Sequence, residues 1–153
     1  NSLSGFPSFL VAHPGLNSGF MITQYAAAAL VSENKVLAHP ASVDSIPSCE
    51  NQEDLVSMGA AAARKAGEIC FNVRRVIATE ILAACQAIDL RAGEGFKLGD
   101  GTQAAYDLVR KQVATLDNDR ELYGDINYCE EIITNGSLIK AVEEAIGGAI
   151  ETK

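Results

Sequence analysis

Residues 55–90 read LVSMGAAAARKAGEICFNVRRVIATEILAACQAIDL. Within this stretch Ala63, Ala66, Cys70, Val73, Ile77, Ile81, Ala84 and Ile88 recur in steps of 3, 4, 3, 4, 4, 3 and 4. Such steps follow the α-helical period, so they predict one apolar stripe along one long helix. Run from 55 to 90, the helix would be about 54 Å long at about 1.5 Å per residue. A compact chain of 153 residues has a radius of gyration of about 15 Å, hence a diameter of roughly 40 Å. The helix overshoots such a globule. The expectation is an elongated rather than globular piece that needs other chains, or other parts of its own chain, to cover it.

On the upstream side, residues 38–54, AHPASVDSIPSCENQED, hold Pro40, Pro47 and several turn formers. This is a long loop, and long loops without secondary structure of their own are often functional. Before it, a helix is predicted from Leu16 or Asn17 to Val36, with Asn17 or Ser18 as N-cap. Its run Ala26-Ala27-Ala28-Ala29 would let another helix approach closely. Residues 1–15 carry Gly5, Pro7, Pro14 and Gly15 and read as an irregular lead-in.

Downstream, residues 91–101, RAGEGFKLGDG, hold four glycines but neither GxGxxG nor GxxxxGK[ST], so they read as a connector rather than a phosphate cradle. Shorter helices fill 102–149: they are predicted near Thr102–Thr115, Arg120–Thr134 and Ser137–Ile146. Thr102, Asp119 and Ser137 are the expected caps, and Gly136 and Gly147 the expected breaks. With no strand alternation and no internal repeat, the predicted fold is all-α.

The net charge of −8 disfavours a nucleic-acid or anionic-membrane surface. The least charged stretch, Pro14 to Ser32, contains Asn17, Ser18, Thr23 and Gln24 and is too polar for a membrane span. Cys49, Cys70, Cys85 and Cys129 form no CxxC and no metal-ligand spacing with histidine. They read as reduced thiols of a cytoplasmic protein, with Cys70 and Cys85 as small core residues. His13 and His39 each precede proline without a carboxylate or cysteine at useful spacing and read as loop histidines. Tyr25, Tyr106, Tyr123 and Tyr128 read as packing residues. No residues here suggest a metal site or a bound cofactor.

Glu50-Asn51-Gln52-Glu53-Asp54 gathers three carboxylates and two amides just ahead of the long helix. Two readings stand. Acidic groups there complement a helix dipole and cap free N–H groups. Alternatively, they form a polar site at the mouth of the helix, where a carboxylate meets a substrate amine.

Longer runs carry a resemblance. Gly15-Leu16-Asn17-Ser18-Gly19-Phe20-Met21-Ile22, Gln24-Tyr25 and Ala28-Ala29-Leu30-Val31-Ser32-Glu33-Asn34-Lys35 resemble the histidine and phenylalanine ammonia-lyase family. So do His39-Pro40-Ala41-Ser42-Val43-Asp44-Ser45-Ile46-Pro47 and Glu80-Ile81-Leu82-Ala83-Ala84 to Ala87-Ile88-Asp89-Leu90-Arg91. Ala62-Ala63-Arg64-Lys65 and Leu116-Asp117 with Asp119-Arg120 also fit. Asn51-Gln52-Glu53-Asp54 with Val56-Ser57-Met58-Gly59 after it is similar to the histidine-type form of a family motif. The resemblance spans nearly all of residues 1–153 and places them in the C-terminal third of such an enzyme. These runs also count against the fumarase and argininosuccinate-lyase kind, which shares a helical bundle.

The resemblance implies a homotetramer with a central bundle of long helices. It further implies non-oxidative loss of ammonia from an aromatic amino acid, L-histidine to trans-urocanate being favoured. The electrophile would be 4-methylideneimidazol-5-one, formed from an Ala-Ser-Gly tripeptide in the family's N-terminal half. This chain has Asn17-Ser18-Gly19 and Ala41-Ser42-Val43 but no Ala-Ser-Gly. The N-terminal part of the same lyase is therefore the expected partner, bringing the prosthetic group, the catalytic tyrosines and the carboxylate-binding arginine. By the motif, Glu53 matches the active-site glutamate of the histidine-type enzymes and Gln52 sits beside it in the substrate site. Phenylalanine and tyrosine lyases usually hold glutamine in place of Glu53. Leu55 departs from the motif, which usually has histidine there, and Cys49-Glu50 is also unusual. A phenylalanine or tyrosine lyase part, or a non-catalytic helical scaffold derived from the fold, are the alternatives.

Overall fold

A computed structural model describes residues 3–151. The first two residues of the expected lead-in and the last two of the chain lie outside it. Five α-helices succeed one another: α1 (Met21–Leu37), α2 (Gly59–Leu90), α3 (Asp100–Arg110), α4 (Tyr123–Thr134) and α5 (Ser137–Ile146). Short 3-10 turns lie at Ser8–Leu10 and Ala92–Glu94. No strand occurs among the described residues, as the all-α reading expected.

α1 and α2 pack as a helical hairpin. Beyond Met21 at its start, the less exposed positions of α1 are Thr23, Ala27, Leu30, Asn34 and Leu37, a seam of four-three spacing. Of the alanine run only Ala27 lies on this seam; Ala26, Ala28 and Ala29 are exposed. The pairing is keyed by Asn72, buried on α2, whose Nδ2 donates to Glu33 Oε2 at 2.9 Å and to Asn34 Oδ1 at 3.0 Å. Lys65 donates to the backbone oxygen of His39 just past the end of α1.

The C-terminal half of α2 forms the core together with α3, α4 and the segment between them. Phe20, Ala78, Leu82, Cys85, Val109, Val113, Leu116, Cys129 and Ile132 make one buried cluster. α4 lies along α2, fastened by Arg75 Nε to Glu130 Oε2 at 3.0 Å. Asp89, near the end of α2, accepts from Tyr106 Oη, from Arg110 and from Thr115 Oγ1, which draws α3 and the segment after it onto α2. α3 also crosses α5 closely. A Cβ at Gly101 would come within 3.0 Å of Val142 Cγ1 and 3.2 Å of Ile146 Cγ2, so glycine permits that approach.

Several helix starts differ from the sequence reading, each for a visible reason. α1 begins at Met21, not at Leu16 or Asn17. Asn17 and Ser18 do not cap it; they take part in a clamp with Asp119. The Asp119 carboxylate accepts from Ser18 N at 2.7 Å and Gly19 N at 2.8 Å, while Asn17 Oδ1 accepts from Asp119 N at 3.0 Å. Gly19, at φ +51°, is outside helical geometry. For the same reason Asp119 does not cap α4, which starts at Tyr123 instead of Arg120. α3 starts two residues before the expected cap Thr102 and ends at Arg110. α5 spans the expected residues, but its cap is Gly136 in the left-handed region, and Asn135 Oδ1 accepts from Ser137 N at 2.9 Å. Gly136 and Gly147 both adopt positive φ, as breaks between helices require.

α2 begins at Gly59 rather than Leu55, because Val56 is held in the preceding loop by Ser45. Its 32 residues span about 48 Å. The predicted stripe lies on this helix but largely outside the chain's own core, with Ile81 at its margin packing against the buried cluster. Ala63, Ala66, Cys70, Val73, Ile77 and Ala84 are exposed, and Ile81 and Ile88 are half-buried. The face that α2 buries carries Asn72, Ala78, Leu82, Cys85 and Gln86, roughly 140° around the helix from the stripe. Cys70 is therefore exposed where a core residue was expected, while Cys85 is buried as expected.

Two expectations arise for the folded protein. An ideal Cβ at Gly19 would sit 2.5 Å from Phe9 O and 3.0 Å from Val11 Cβ, at a φ that L-residues rarely adopt. Gly19→Ala should destabilise by more than about 1 kcal/mol, read as a lower urea midpoint at unchanged slope. Alkaline pH should act separately. Burial, then neighbouring Cys85, pushes the Cys129 thiol up to about 12 from 9.0. Cys85 is also raised, chiefly by burial. Groups raised on folding stabilise below the ordinary thiol value and lose that contribution as pH climbs toward the folded one. Stability should therefore be flat up to pH 8 and fall between pH 9 and about 12. Cys129→Ala should flatten that fall, as chemical unfolding across the pH range would reveal.

Candidate active site

The loop between α1 and α2 runs from Ala38 to Met58 and contains every site residue expected from the sequence. Two rungs organise it. In the outer rung, Val56 N donates to Ser45 Oγ at 2.7 Å, and Ser45 Oγ donates to Val56 O at 3.2 Å. In the inner rung, Ser48 N donates to Glu53 O at 2.9 Å and Glu53 N to Ser48 O at 3.3 Å. This reciprocal pair closes a narrow turn over Cys49, Glu50, Asn51 and Gln52, with Gln52 N donating to Cys49 O at 3.0 Å.

The turn is strained. Cys49, Glu50 and Asn51 sit at φ of +50°, +54° and +67°. Left-handed backbone costs an L-residue about 1–2 kcal/mol, and of these three only asparagine tolerates it readily. Three such residues in succession persist only where the surrounding bonds over-determine them. The two rungs on either side supply that constraint.

Glu53 is exposed at the base of this turn, and its Oε2 accepts from Ser48 Oγ at 3.0 Å. Among the described residues Oε1 accepts no hydrogen bond. Gln52, Asp54 and Leu55 are exposed as well, Leu55 at 82%. Glu53 and Gln52 are thus neighbours on an open loop, and a carboxylate oxygen there is available to an N–H donor on an incoming molecule. The helix-start reading of Glu50–Asp54 does not hold. The cap of α2 is Met58, without a side-chain cap bond, and no acidic residue lies in the first turn. The nearest carboxylate is Asp54, separated from Gly59 by four residues.

Of the other candidates, His39 lies at the start of this loop and the rest fall elsewhere. His13 and His39 are exposed loop residues whose backbone oxygens accept from Asn17 N and Lys65. Tyr106 and Tyr128 are tied into the fold, through Asp89 and through Leu108 O, whereas Tyr25 and Tyr123 are largely exposed rather than packed. A cavity of about 600 Å³ lies between the lead-in, α1 and the C-terminal half of α2. It is mostly apolar, with Phe6, Phe9, Met21, Gln24 and Glu80 in its lining, and includes no residue of the 38–58 loop. Among the described residues, no three His, Cys, Asp or Glu side chains converge as a metal site would need.

Sequence reasoning missed Ser45 and Ser48. Their role depends on the left-handed turn, and Cys and Glu at its first two positions give no signal of one.

Known proteins share this fold and sequence. The pattern of the aromatic amino acid lyase family matches residues 1–111. A histidine ammonia-lyase of Streptococcus pyogenes serotype M49 is 61% identical over 153 residues, covering 99% of this chain and 30% of that protein. Among solved structures, histidine ammonia-lyase from Trypanosoma cruzi superposes with a TM-score of 0.87 at 45% identity, covering 94% of this chain and 28% of that one. Tyrosine aminomutase from Streptomyces globisporus superposes with a TM-score of 0.87 at 39% identity, covering 97% and 28%. The chain spans about 30% of the length of the curated relatives it matches.

Proposed function

The chain belongs to the aromatic amino acid lyase family, and we propose that it is the C-terminal part of an ammonia-lyase that converts L-histidine to trans-urocanate. The observation that carries this reading is the 61% identity to a histidine ammonia-lyase across 99% of the chain. The loop geometry supports it, because the glutamate of the histidine-type motif stands on an exposed turn with one carboxylate oxygen open.

In this reading Glu53 belongs to a composite active site whose other members lie outside these residues. Its Oε1 accepts from the ammonium or imidazole N–H of the substrate. Charge-assisted contacts of this kind are shorter and stronger than neutral ones. Gln52, next in the chain and also exposed, contributes its amide to the same substrate-binding surface. The 4-methylideneimidazol-5-one group that the family resemblance implies has no Ala-Ser-Gly precursor in this sequence. We assign no residue here to it and place its formation in the N-terminal part of the lyase.

The same reading accounts for the remaining partners. The exposed stripe on α2 is an apolar surface of the sort that a bundle of long helices covers, which supports a homo-oligomer. No described helix is long and apolar enough to cross a membrane, and the described cysteines are all unpaired, which supports a cytoplasmic enzyme.

Two measurements test the reading. The 153-residue chain by itself, mixed with millimolar histidine, should produce no urocanate absorbance above a heat-killed control; turnover would refute the composite site. In the full-length lyase, Glu53→Gln should lower histidine turnover by roughly ten- to 150-fold, the loss of one charged hydrogen bond of about 1.5–3 kcal/mol. The same change should shift relative preference toward phenylalanine. Asp54→Asn removes a carboxylate from the same exposed loop and should cost less than about fivefold. Equal small losses for both variants would remove Glu53 from the site.

A further inference from the structure

We propose that Ser48 is a positioning residue for Glu53, fixing which carboxylate oxygen the substrate meets. The inference rests on the reading of Glu53 given above.

Three hydrogen bonds join these two residues, one more than join Ser45 and Val56. Two are the reciprocal backbone bonds of 2.9 and 3.3 Å that set Ser48 opposite Glu53. The third runs from Ser48 Oγ to Glu53 Oε2 at 3.0 Å. The backbone pair brings the two side chains to one place, and the hydroxyl then selects one arrangement of the carboxylate. A glutamate has three rotatable side-chain torsions, and an exposed one without a partner samples many rotamers. Glu53 is exposed, and Ser48 is its only side-chain partner among the described residues. With Oε2 engaged, Oε1 is the oxygen presented outward.

The strained turn makes this arrangement specific to the loop. Because Cys49, Glu50 and Asn51 are all left-handed, the chain reverses within four residues and returns Glu53 beside Ser48. Were the same residues extended or helical, Ser48 and Glu53 would be separated along the chain and could not pair. Strain held next to a substrate-binding group is a recognised means of pre-organisation. The physical consequence is on turnover. A carboxylate that must first be collected into one rotamer loses part of its benefit in the transition state, whereas one already held there does not.

The test uses the full-length lyase with its prosthetic group formed. Ser48→Ala leaves both backbone bonds and removes only the hydroxyl. It should lower kcat for histidine about five- to tenfold, with subunit assembly and Tm unchanged. Ser48→Thr keeps the hydroxyl and should return to within about twofold of the parent. In a Glu53→Gln background, Ser48→Ala should add less than about twofold, because the two residues act through one contact. A parental kcat for Ser48→Ala beside a large loss for Glu53→Gln would overturn the positioning role and leave Glu53 in the site. Equal losses for the Ala and Thr variants, or losses that multiply with Glu53→Gln, would mean that Ser48 only shapes the loop. Parental turnover for Glu53→Gln would overturn the reading of Glu53 and this proposal together.

Discussion

The amide of Gln86 is buried in the centre of the fold, with 1% of the residue exposed. Its Nε2 donates to Leu10 O at 3.0 Å and to Leu116 O at 2.9 Å, and its Oε1 accepts from Leu116 N at 2.9 Å. One side chain of α2 thereby satisfies backbone groups of the lead-in and of the segment between α3 and α4. A buried polar group left without partners costs about 1–3 kcal/mol, so the amide and the stretches of backbone it holds depend on one another. The Asp119 clamp on Ser18 and Gly19 repeats the same union a short distance along both segments. Together they decide where α1 begins, where α4 begins and how the lead-in lies across α2.

The long helix consequently has two apolar faces with different tasks. One face meets α1, α3, α4 and the lead-in, and it mixes Ala78, Leu82 and Cys85 with Asn72 and Gln86. The other carries Val73 and Ile77, each 41% exposed, together with Ile81, Ala84 and Ile88. Apolar residues on two sides of one helix are what a helix inside a larger assembly carries, which supports the homo-oligomer proposed above. This is the geometry expected when a chain of 153 residues spans about 30% of its relatives' length.

The candidate site stands at the other extreme of order. It is built on an exposed loop whose backbone is held by two serine rungs and whose tip is left-handed through three residues. Rigid helices carry the loop at both ends, with Lys65 reaching from α2 to the His39 carbonyl at its start. A scaffold that fixes the ends and a turn that fixes the middle allow a flexible side chain such as Glu53 to be placed with little freedom.

The sequence by itself determined the helical class, the long helix ending at Leu90, the span of α5 and its glycine breaks, the loop that carries Glu53 and Gln52, and the family. These are properties of local period, of glycine at helix ends and of long motif runs, each legible without knowing what lies opposite. Tertiary structure alone decided which face of α2 is buried. Periodicity counts apolar residues, and the stripe it found has more of them than the face that Asn72 and Gln86 share with Leu82 and Cys85. It also decided the helix starts. Asn17, Ser18, Asp119 and Leu55–Met58 look like helix caps or first turns. In the fold the first three are engaged by partners about 100 residues away, and Val56 of the last stretch is bound to Ser45. The pairing of Ser48 with Glu53 was equally hidden, since it arises from a left-handed backbone in Cys and Glu that no propensity favours. Local propensity yields where a long-range hydrogen bond satisfies the same group better, and only the folded chain reveals where that happens.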